Sequence, residues 1–338
     1  MASPFISVIV TDYQRKKYLR TAIESALSQK FDKDRFEVIV VTGYEVHSDL
    51  PQGNNLKYFI CNEKEQGGML AFAVEKAKGS ILSFLDDDDR WMDSKLSTLY
   101  TQFSNHDNLG YYHNNLTAIN ESGEKIENVP HKAALRRIEK KGRFEIISRE
   151  AEYPQIRRMV SLALDFNSSC ISVRREVALK FIDEMRKVSV GVDSFLFYSA
   201  LMTKFCMVGD SKPLTEYRVH SNNLTGIGRD AGTQSLDNRL FFTEKLISQL
   251  ENMIPLFVEK NEAVTRSIQC SIADNKLILH WLRGANTRKV LIKDILIYVK
   301  HFSRYELKYN LIATLFSLIC LASPRLAKFV FKKITHNS

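Results

Sequence analysis

The sequence predicts an α/β fold, in which a mostly parallel sheet is flanked by helices and followed by a C-terminal helical region. Two observations carry this prediction. Short apolar, β-branched segments alternate with amphipathic helical patterns up to residue 85, which is typical of strand–helix–strand units. After about residue 235 these segments stop, and apolar residues recur at helical spacing instead. We therefore expect two regions, residues 1–232 and residues 233–338.

The first half of the sheet follows from the order of these segments. Short apolar runs predict strands, and longer amphipathic patterns between them predict helices. The strands are expected at Phe5–Val10, Phe36–Val41, Lys57–Cys61 and Ile81–Leu85, and the helices at residues 16–29 and Gly67–Lys78. Ligands of such sheets bind at the carboxyl ends of the strands. Thr11, Thr42 and Asp86 each follow one strand, so we expect them to converge on one site.

The later segments are less regular in their pattern. Gly110–Ile119 and Glu124–Ile126 predict a hairpin, Ser169–Val173 predicts a strand, and Val192–Lys204 predicts a helix. The stretch 130–160 is rich in Lys and Arg and is expected to be irregular. The segment Pro213–His220 is expected to lead into a glycine-containing loop.

Composition and charge limit the class of protein. A chain of 338 residues with 44% hydrophobic residues can bury a sizeable core, and its net charge of +9 suits a phosphate-bearing substrate or an anionic lipid surface. We expect no nucleic-acid partner, because no helix-turn-helix, zinc-finger or RNP-like pattern accompanies this charge. The five cysteines are scattered and form neither a zinc spacing nor a disulfide framework.

We expect a cytoplasmic location, because the N-terminus reads as a first strand and not as a signal peptide. The C-terminal run Leu311–Ala322 is apolar, too short to span a membrane, and followed by basic residues. Such a helix either lies in the membrane interface, as a peripheral contact, or packs on the rest of the protein.

Four consecutive aspartates, Asp86–Asp89, stand between the apolar run ILSFL and Arg90-Trp91. Carboxylates that folding brings together against a dry sheet end repel one another, and the tight apolar flanks argue against a simple solvated loop. A divalent cation would neutralise them, and Mn²⁺ and Mg²⁺ favour oxygen ligands that they share with substrate phosphates. We expect a metal site here, with a bare acidic loop as the alternative.

Three segments, in order along the chain, resemble glycosyltransferase family 2, whose members adopt the GT-A fold. SVIVTDYQRKKYLRTAIESALSQ is similar to the opening strand and helix, GSILSFLDDDDRWMDSKL to the D-x-D segment, and PLTEYRVHSNNLT to the late Y-R-x-H segment. The resemblance implies transfer of a sugar, with inversion, from a nucleoside-diphosphate sugar, with UDP favoured, to a hydroxyl of a glycan or lipid-linked acceptor. Mn²⁺ or Mg²⁺ would be the cofactor. The Q-x-x-R-W sequence of processive synthases does not occur in this chain, so we expect a non-processive enzyme.

The resemblance also implies roles for single residues. Asp88 would bind the metal, Asp86 would hold the ribose and complete the metal shell, and His220 would approach the metal or the diphosphate. Asp193, in GVDSFLF, would be the general base. The donor pocket would be formed by the residues that follow the first strands and begin the next helix: Thr11, Asp12, Tyr13, Thr42, Gly67, Gly68, Asp86 and Asp87.

Some features depart from the family pattern and leave alternatives open. Thr42-Gly43-Tyr44 stands where the family usually has Asp-Asp-Gly, whose first Asp recognises uracil. The Arg-Asn pair that the family usually carries on its third helix is absent, and Gly67-Gly68 lies nearby instead. Asp193 could instead be a first-turn helix acid, and His220 a structural histidine. A non-catalytic nucleotide- or carbohydrate-binding protein and a sugar-1-phosphate nucleotidyltransferase are the alternative functions, although the latter would need a glycine-rich loop after the first strand. A P-loop NTPase is excluded because the chain lacks the phosphate-binding sequence G-x-x-x-x-G-K-S/T.

Overall fold

The computed structural model describes residues 5–13, 16–46, 49–127, 131–220, 223, 233–258, 260–283, 288–300, 311, 313–315 and 317–318. The chain divides into two compact units. The first unit comprises Met1–Ala151 and Leu162–Val219, and the second comprises Glu152–Ser161 and His220–Ser338.

One sheet in the first unit contains all the named strands of the described residues. These are β1 Ile6–Asp12, β2 Phe36–Thr42, β3 Leu56–Ile60, β4 Ile81–Asp86, β5 Arg90–Trp91, β6 Leu109–Ile119, β7 Arg143–Ile147, β8 Ile171–Arg174 and β9 Cys206–Arg218. The strand order is β3-β2-β1-β4-β8-β6-β9-β5, and β7 also pairs with β9. The β3-β2-β1-β4 half is parallel throughout, whereas β8 runs antiparallel to β4 and β6. The predicted α/β class with a central, mostly parallel sheet is confirmed.

The helices of the described residues cover this sheet and form most of the second unit. They are α1 Lys16–Leu27, α2 Gln66–Lys76, α3 Lys95–Asn105, α4 Lys132–Lys141, α5 Tyr153–Ser161, α6 Arg175–Leu179, α7 Ile182–Met185, α8 Val192–Leu201, α9 Thr233–Phe257, α10 Glu262–Arg283 and α11 Arg288–Lys300. Every residue of β1 and β2 is buried, because helices cover both faces of a parallel sheet. The apolar faces of α1 and α3, with Ile23 and Leu99, join Val8 and Val38 in one core cluster.

The basic stretch 130–160 is regular, and the prediction of an irregular segment was wrong. It contains α4, β7 and α5. Only Ala134 and Ile138 of α4 are buried, so its sequence lacks a wide apolar stripe. The strand β7 is held by antiparallel pairing with β9, a partner about sixty residues away that no local pattern reveals.

The segment after Pro213 continues β9 as far as Arg218, and the loop into which it is expected to lead lies outside the described residues. Pro213 lies opposite Asn115, where the β6–β9 register shifts. An irregularity of this kind accommodates a residue without a backbone N–H inside a strand.

No helix formed by the described residues is long and apolar enough to cross a membrane. The C-terminal run Leu311–Ala322 and the basic residues after it lie mostly outside the described residues. Of the described positions in that run, Leu311, Leu315 and Leu318 are exposed. Cys61, Cys170, Cys206 and Cys270 are buried free thiols.

Candidate active site

The carboxyl ends of β1, β2 and β4 lie side by side at one edge of the sheet. Their parallel register places Asp12 opposite Thr42 and Thr11 opposite Asp86. Thr11, Asp12 and Thr42 are buried, and Asp86 is partly exposed. Residues that are far apart in sequence therefore meet at this edge.

Hydrogen bonds fix the polar groups that follow β1 and β2. The Thr42 hydroxyl donates to Asp12 Oδ2 at 2.9 Å and accepts from the backbone N–H of Tyr44 at 3.1 Å. The backbone N–H of Tyr13 donates to Asp87 Oδ2 at 2.8 Å. Thr42 is uncharged, but its hydroxyl orients the carboxylate of Asp12 at the end of β1.

The residues Asp86–Asp89, which we call the aspartate loop, do not form a solvated acidic loop. Asp87, Asp88 and Asp89 are exposed by only 0%, 3% and 1%, respectively. Carboxylate oxygens of Asp86, Asp88 and Asp89 lie within 4.8 Å of one another. Several buried oxygen donors with like charges form a site that suits Mn²⁺ or Mg²⁺. The donor set therefore fits the cation that the sequence predicts.

Asp89 also belongs to this cluster, a role that its position in the sequence did not predict. Burial, followed by the charge of Asp86, raises the pKa of Asp89 to about 6. Its Oδ1 accepts a hydrogen bond from the backbone N–H of Arg218, at 2.9 Å. Like-charge crowding of this kind disfavours the ionised form unless a cation or hydrogen bonds compensate it.

Arg218 supports the aspartate loop from β9. Its Nε donates to the Asp88 carbonyl at 2.8 Å, and its Nη1 donates to the Asn120 carbonyl at 3.0 Å. The buried guanidinium also lies over the Tyr18 ring, 4.6 Å from the centroid. The arginine of the Y-R-x-H segment thus holds the loop through its backbone, a role that the motif alone did not indicate.

A short turn, Asn167–Ser169, links three carboxylates of the site. The Ser168 hydroxyl lies 2.8 Å from both carboxylate oxygens of Asp86. Asn167 Nδ2 donates to Asp89 Oδ2 at 3.0 Å, and the Asn167 N–H donates to Asp193 Oδ2 at 2.9 Å. Asn167 has a φ of 67°, which asparagine tolerates better than most residues. We call these three residues the 167–169 turn.

The 167–169 turn is itself held firmly. The carbonyl oxygen of Ser169 accepts hydrogen bonds from Trp91 Nε1, Lys95 Nζ and Thr215 Oγ1, each at 2.9 Å. Lys95 is fully buried, its Nζ lies over the Trp91 ring, and the same nitrogen also donates to Asn114 Oδ1. Supporting groups that are locked in this way keep the residues that contact a substrate in one orientation.

Asp193 lies in the first turn of α8 and is partly exposed. Its Oδ1 accepts from the backbone N–H of Ser194 at 2.8 Å, while Oδ2 faces the 167–169 turn. Burial, and to a lesser degree the charge of Asp86, raises the pKa of Asp193 to about 6. A reachable carboxylate whose pKa approaches neutrality has the properties of a general base.

His220 belongs to the second unit, is buried, and donates its backbone N–H to Asn223 Oδ1 at 2.6 Å. Its contact with a metal stays a prediction.

Gly67 and Gly68 begin α2, and packing explains at least Gly67. A Cβ on Gly67 would lie 1.9 Å from the Met185 carbonyl oxygen. The backbone N–H of Gly67 donates to the Val188 carbonyl. A Cβ on Gly68 would meet the flexible side chain of Glu63. The close approach of these glycines to a donor stays a prediction.

A comparison with protein families identifies the fold of this site. The profile described as Glycosyl transferase family 2 matches residues 7–180, which include β1, the aspartate loop and the 167–169 turn. This chain belongs to glycosyltransferase family 2. It therefore carries a glycosyltransferase domain with the GT-A fold. The match ends before Asp193 and Arg218 and therefore does not include them.

Individual relatives agree with this membership. An uncharacterized glycosyltransferase of Rickettsia bellii is 25% identical over 241 residues, which cover 69% of this chain and 31% of that protein. The GalNAc(5)-diNAcBac-PP-undecaprenol beta-1,3-glucosyltransferase of Campylobacter jejuni is 34% identical over 119 residues, covering 32% and 37%. The chain thus spans about a third of the length of these curated relatives. Residues 1–349 of TarS from S. aureus share the fold, with a TM-score of 0.54, 15% identity, and coverage of 98% and 90%.

Proposed function

We propose that this glycosyltransferase is an inverting, non-processive enzyme that moves a sugar from a nucleoside-diphosphate sugar to an acceptor hydroxyl. One observation carries the proposal: the 167–169 turn holds Asp86 and Asp193 together, both partly exposed, beside the buried Asp88. The three carboxylates lie at the sheet edge where α/β folds bind their ligands. A leaving-group site and a base are thereby side by side.

Asp193 and the aspartates after β4 have different roles in the proposed reaction. Asp193 accepts the proton of the acceptor hydroxyl while that oxygen bonds to the anomeric carbon. The bond from this carbon to the diphosphate oxygen breaks, and the nucleoside diphosphate leaves with the electron pair. Asp86 and Asp88, supported by Asp89, would hold Mn²⁺ or Mg²⁺. A bound divalent cation of this kind stabilises negative charge on the leaving diphosphate.

We propose a UDP-sugar as donor and a glycan or lipid-linked glycan as acceptor. A carboxylate only accepts hydrogen bonds, so Asp12, oriented by Thr42, suits the imide N–H of uracil. TarS of S. aureus has been crystallised with UDP-GlcNAc. The Campylobacter jejuni relative, by its name, acts on an undecaprenol-diphosphate glycan. These relatives support the choice of donor and acceptor class.

Titration of UDP and GDP, with and without Mn²⁺, tests the donor site. We expect UDP to bind at least about tenfold more tightly with Mn²⁺ than without it, a difference of about 1.4 kcal/mol, and GDP to bind more weakly. Isothermal titration calorimetry measures both affinities, and CDP, which lacks the imide N–H, serves as the control nucleotide. Absence of binding by UDP and GDP under both conditions would contradict the proposal.

We also propose that the protein works at the cytoplasmic face of a membrane, which it contacts peripherally through the helix α11 of its C-terminal region. The helix α11 exposes Ile292, Leu296 and Val299, one per turn, and Lys293 and Lys300 lie beside them. An apolar stripe with flanking lysines suits the interface of an anionic bilayer.

Replacing Leu296 by Asp is expected to weaken binding to phosphatidylglycerol vesicles about tenfold or more, because a buried leucine contributes roughly 1.5–3 kcal/mol. Co-sedimentation measures this change. Leu236→Asp, an equally drastic change at an exposed position of α9, is the matched control and should bind as the wild type does. Equal binding by wild type and Leu296→Asp would show that α11 does not face the membrane.

A further inference from the structure

A cavity of about 760 Å³ lies at the edge of the sheet opposite the aspartates. Phe5, Arg35 and Ser80 line it, and each directly precedes a parallel strand, whereas the aspartates follow such strands. The strand β1 has 7 residues, which span about 20 Å. This cavity, which we call the basal cavity, is therefore separate from the donor and acceptor positions proposed above.

The basal cavity is positively charged. Four cationic side chains line it against two carboxylates: Arg35, Lys78, Arg174 and Arg175 against Asp34 and Glu176. Phe5 and Leu179 add apolar surface to the same cavity. A concave site with more cations than anions and an apolar wall suits an anion that carries an organic part.

Two of these cations are held in place by groups that do not neutralise them. Arg174 donates from Nε to the Leu109 carbonyl at 2.7 Å and from Nη2 to the Asp107 carbonyl at 2.8 Å. The Arg35 guanidinium lies 4.2 Å from the centre of the Tyr100 ring. Both positive charges are thus oriented by neutral partners and remain available to an anion.

The other two cations lack an acidic partner. Among the described residues, neither Lys78 Nζ nor the Arg175 guanidinium forms an ion pair. Arg175 Nε is buried and has no hydrogen-bond partner in the described part of the chain. A buried donor without an acceptor is destabilising, so Arg175 keeps an uncompensated guanidinium at the cavity that it lines.

We propose that the basal cavity binds a phosphate-bearing ligand, with Arg175 and Lys78 as its direct partners and Arg35 and Arg174 as the surrounding positive field. A guanidinium offers a planar set of donors that matches two phosphate oxygens, and an ammonium adds a mobile point charge. The ligand is either a free organic phosphate or the phosphate of a lipid headgroup. Its binding does not depend on the sugar transfer proposed above.

Inorganic pyrophosphate is the first probe, titrated in the presence of a chelator so that no divalent cation carries it to the aspartates. The variant Lys78→Gln/Arg175→Gln is expected to bind at least tenfold more weakly than the wild type. The matched control is Lys140→Gln/Lys141→Gln, which removes the same charge from exposed positions at the end of α4. It should bind within twofold of the wild type. Equal weakening in both variants, or no binding by the wild type at millimolar concentration, would overturn the proposal.

Thermal unfolding separates loss of the site from loss of the fold. Because Arg175 Nε is an unsatisfied buried donor, the double variant is expected to unfold at the wild-type temperature or above it when no ligand is present. Pyrophosphate should raise the unfolding temperature of the wild type and of the control only. If the double variant does not fold, Lys78→Gln alone, at an exposed lysine, should still weaken binding several-fold, and wild-type affinity in that variant would contradict the proposal.

Two further probes identify the source of the phosphate. Glycerol 3-phosphate represents a free organic phosphate, and vesicles of phosphatidic acid in phosphatidylcholine present the same group at a membrane. Binding of glycerol 3-phosphate that the double variant loses supports a soluble ligand. Vesicle binding that the double variant loses but Lys140→Gln/Lys141→Gln retains supports a lipid headgroup. If the double variant binds both probes as the wild type does, the proposal is wrong.

Discussion

Replacing Asp193 by Asn is expected to lower kcat by about 10²–10⁴-fold, because an amide cannot accept the proton of the acceptor hydroxyl. The affinity for UDP should change little, since Asp193 faces the 167–169 turn and has no described contact with Asp12 or Thr42. Asparagine has nearly the same shape and keeps one oxygen acceptor for the Asn167 N–H. The change is therefore directed at proton transfer.

Release of UDP from the donor sugar measures kcat, and calorimetry measures the affinity for UDP. Asp183→Asn is the matched control, because Asp183 is exposed in α7 and its substitution removes the same charge. Wild-type turnover in the Asp193→Asn variant would remove Asp193 as the base. Loss of UDP binding together with turnover would indicate a structural role in holding the 167–169 turn instead.

The pH profile gives the same variant a second readout. Burial, and to a lesser degree the charge of Asp86, raises the pKa of Asp193 to about 6. Tyr111, which interacts electrostatically with Asp193, stays neutral because burial raises its pKa far above the usual value. A base works only when it is ionised, so wild-type kcat should fall as the pH drops through about 6. The residual activity of Asp193→Asn should lack this decline.

The parallel half of the sheet could be predicted because its signals are local. Each strand is a short apolar run, and α1 follows β1 with an apolar face at helical spacing. The place of the aspartates at the edge of the sheet was also predictable, since they directly follow a buried apolar strand. Local pattern and fold agree in this region, and the structure moves the predicted strand ends by only one or two residues.

The contacts that organise the site could not be predicted, because they join distant parts of the chain. Nothing in the tripeptide Asn167-Ser168-Ser169 shows that its groups reach Asp86, Asp89 and Asp193. Arg218 belongs to the Y-R-x-H segment, but its hydrogen bond to the Asp88 carbonyl depends on the pairing of β9. A polar residue reveals its role only when tertiary packing brings its partner within about 3 Å.

Replacing Asp88 by Asn is expected to remove the effect of Mn²⁺ on UDP binding and to lower kcat by about 10²–10³-fold, because a bound cation contributes several kcal/mol of charge stabilisation. Asp88 is only 3% exposed, so water cannot easily take its place as a ligand. Its carbonyl should keep the hydrogen bond from Arg218, which does not involve the carboxylate. The substitution therefore alters the ligand and leaves the loop in place.

Stability without a cation distinguishes this loss from damage to the fold. The carboxylate oxygens of Asp86, Asp88 and Asp89 lie within 4.8 Å of one another, so removing one charge relieves repulsion in the chelated protein. The free energy of unfolding of Asp88→Asn in chelator should thus equal or exceed that of the wild type. Denaturant unfolding measures it, and Asp107→Asn, at an exposed turn, is the matched control.

Addition of Mn²⁺ should reverse this order of stability. A ligand at a hundred times its Kd stabilises the folded state by about 2.7 kcal/mol, and only proteins with an intact site receive that contribution. Wild type and Asp107→Asn should therefore gain stability from Mn²⁺, whereas Asp88→Asn should gain little. A misfolded variant would be less stable under both conditions, and an equal gain in all three proteins would place the cation away from these aspartates. Only metal binding by Asp88 predicts a variant that is stable without the cation and indifferent to it.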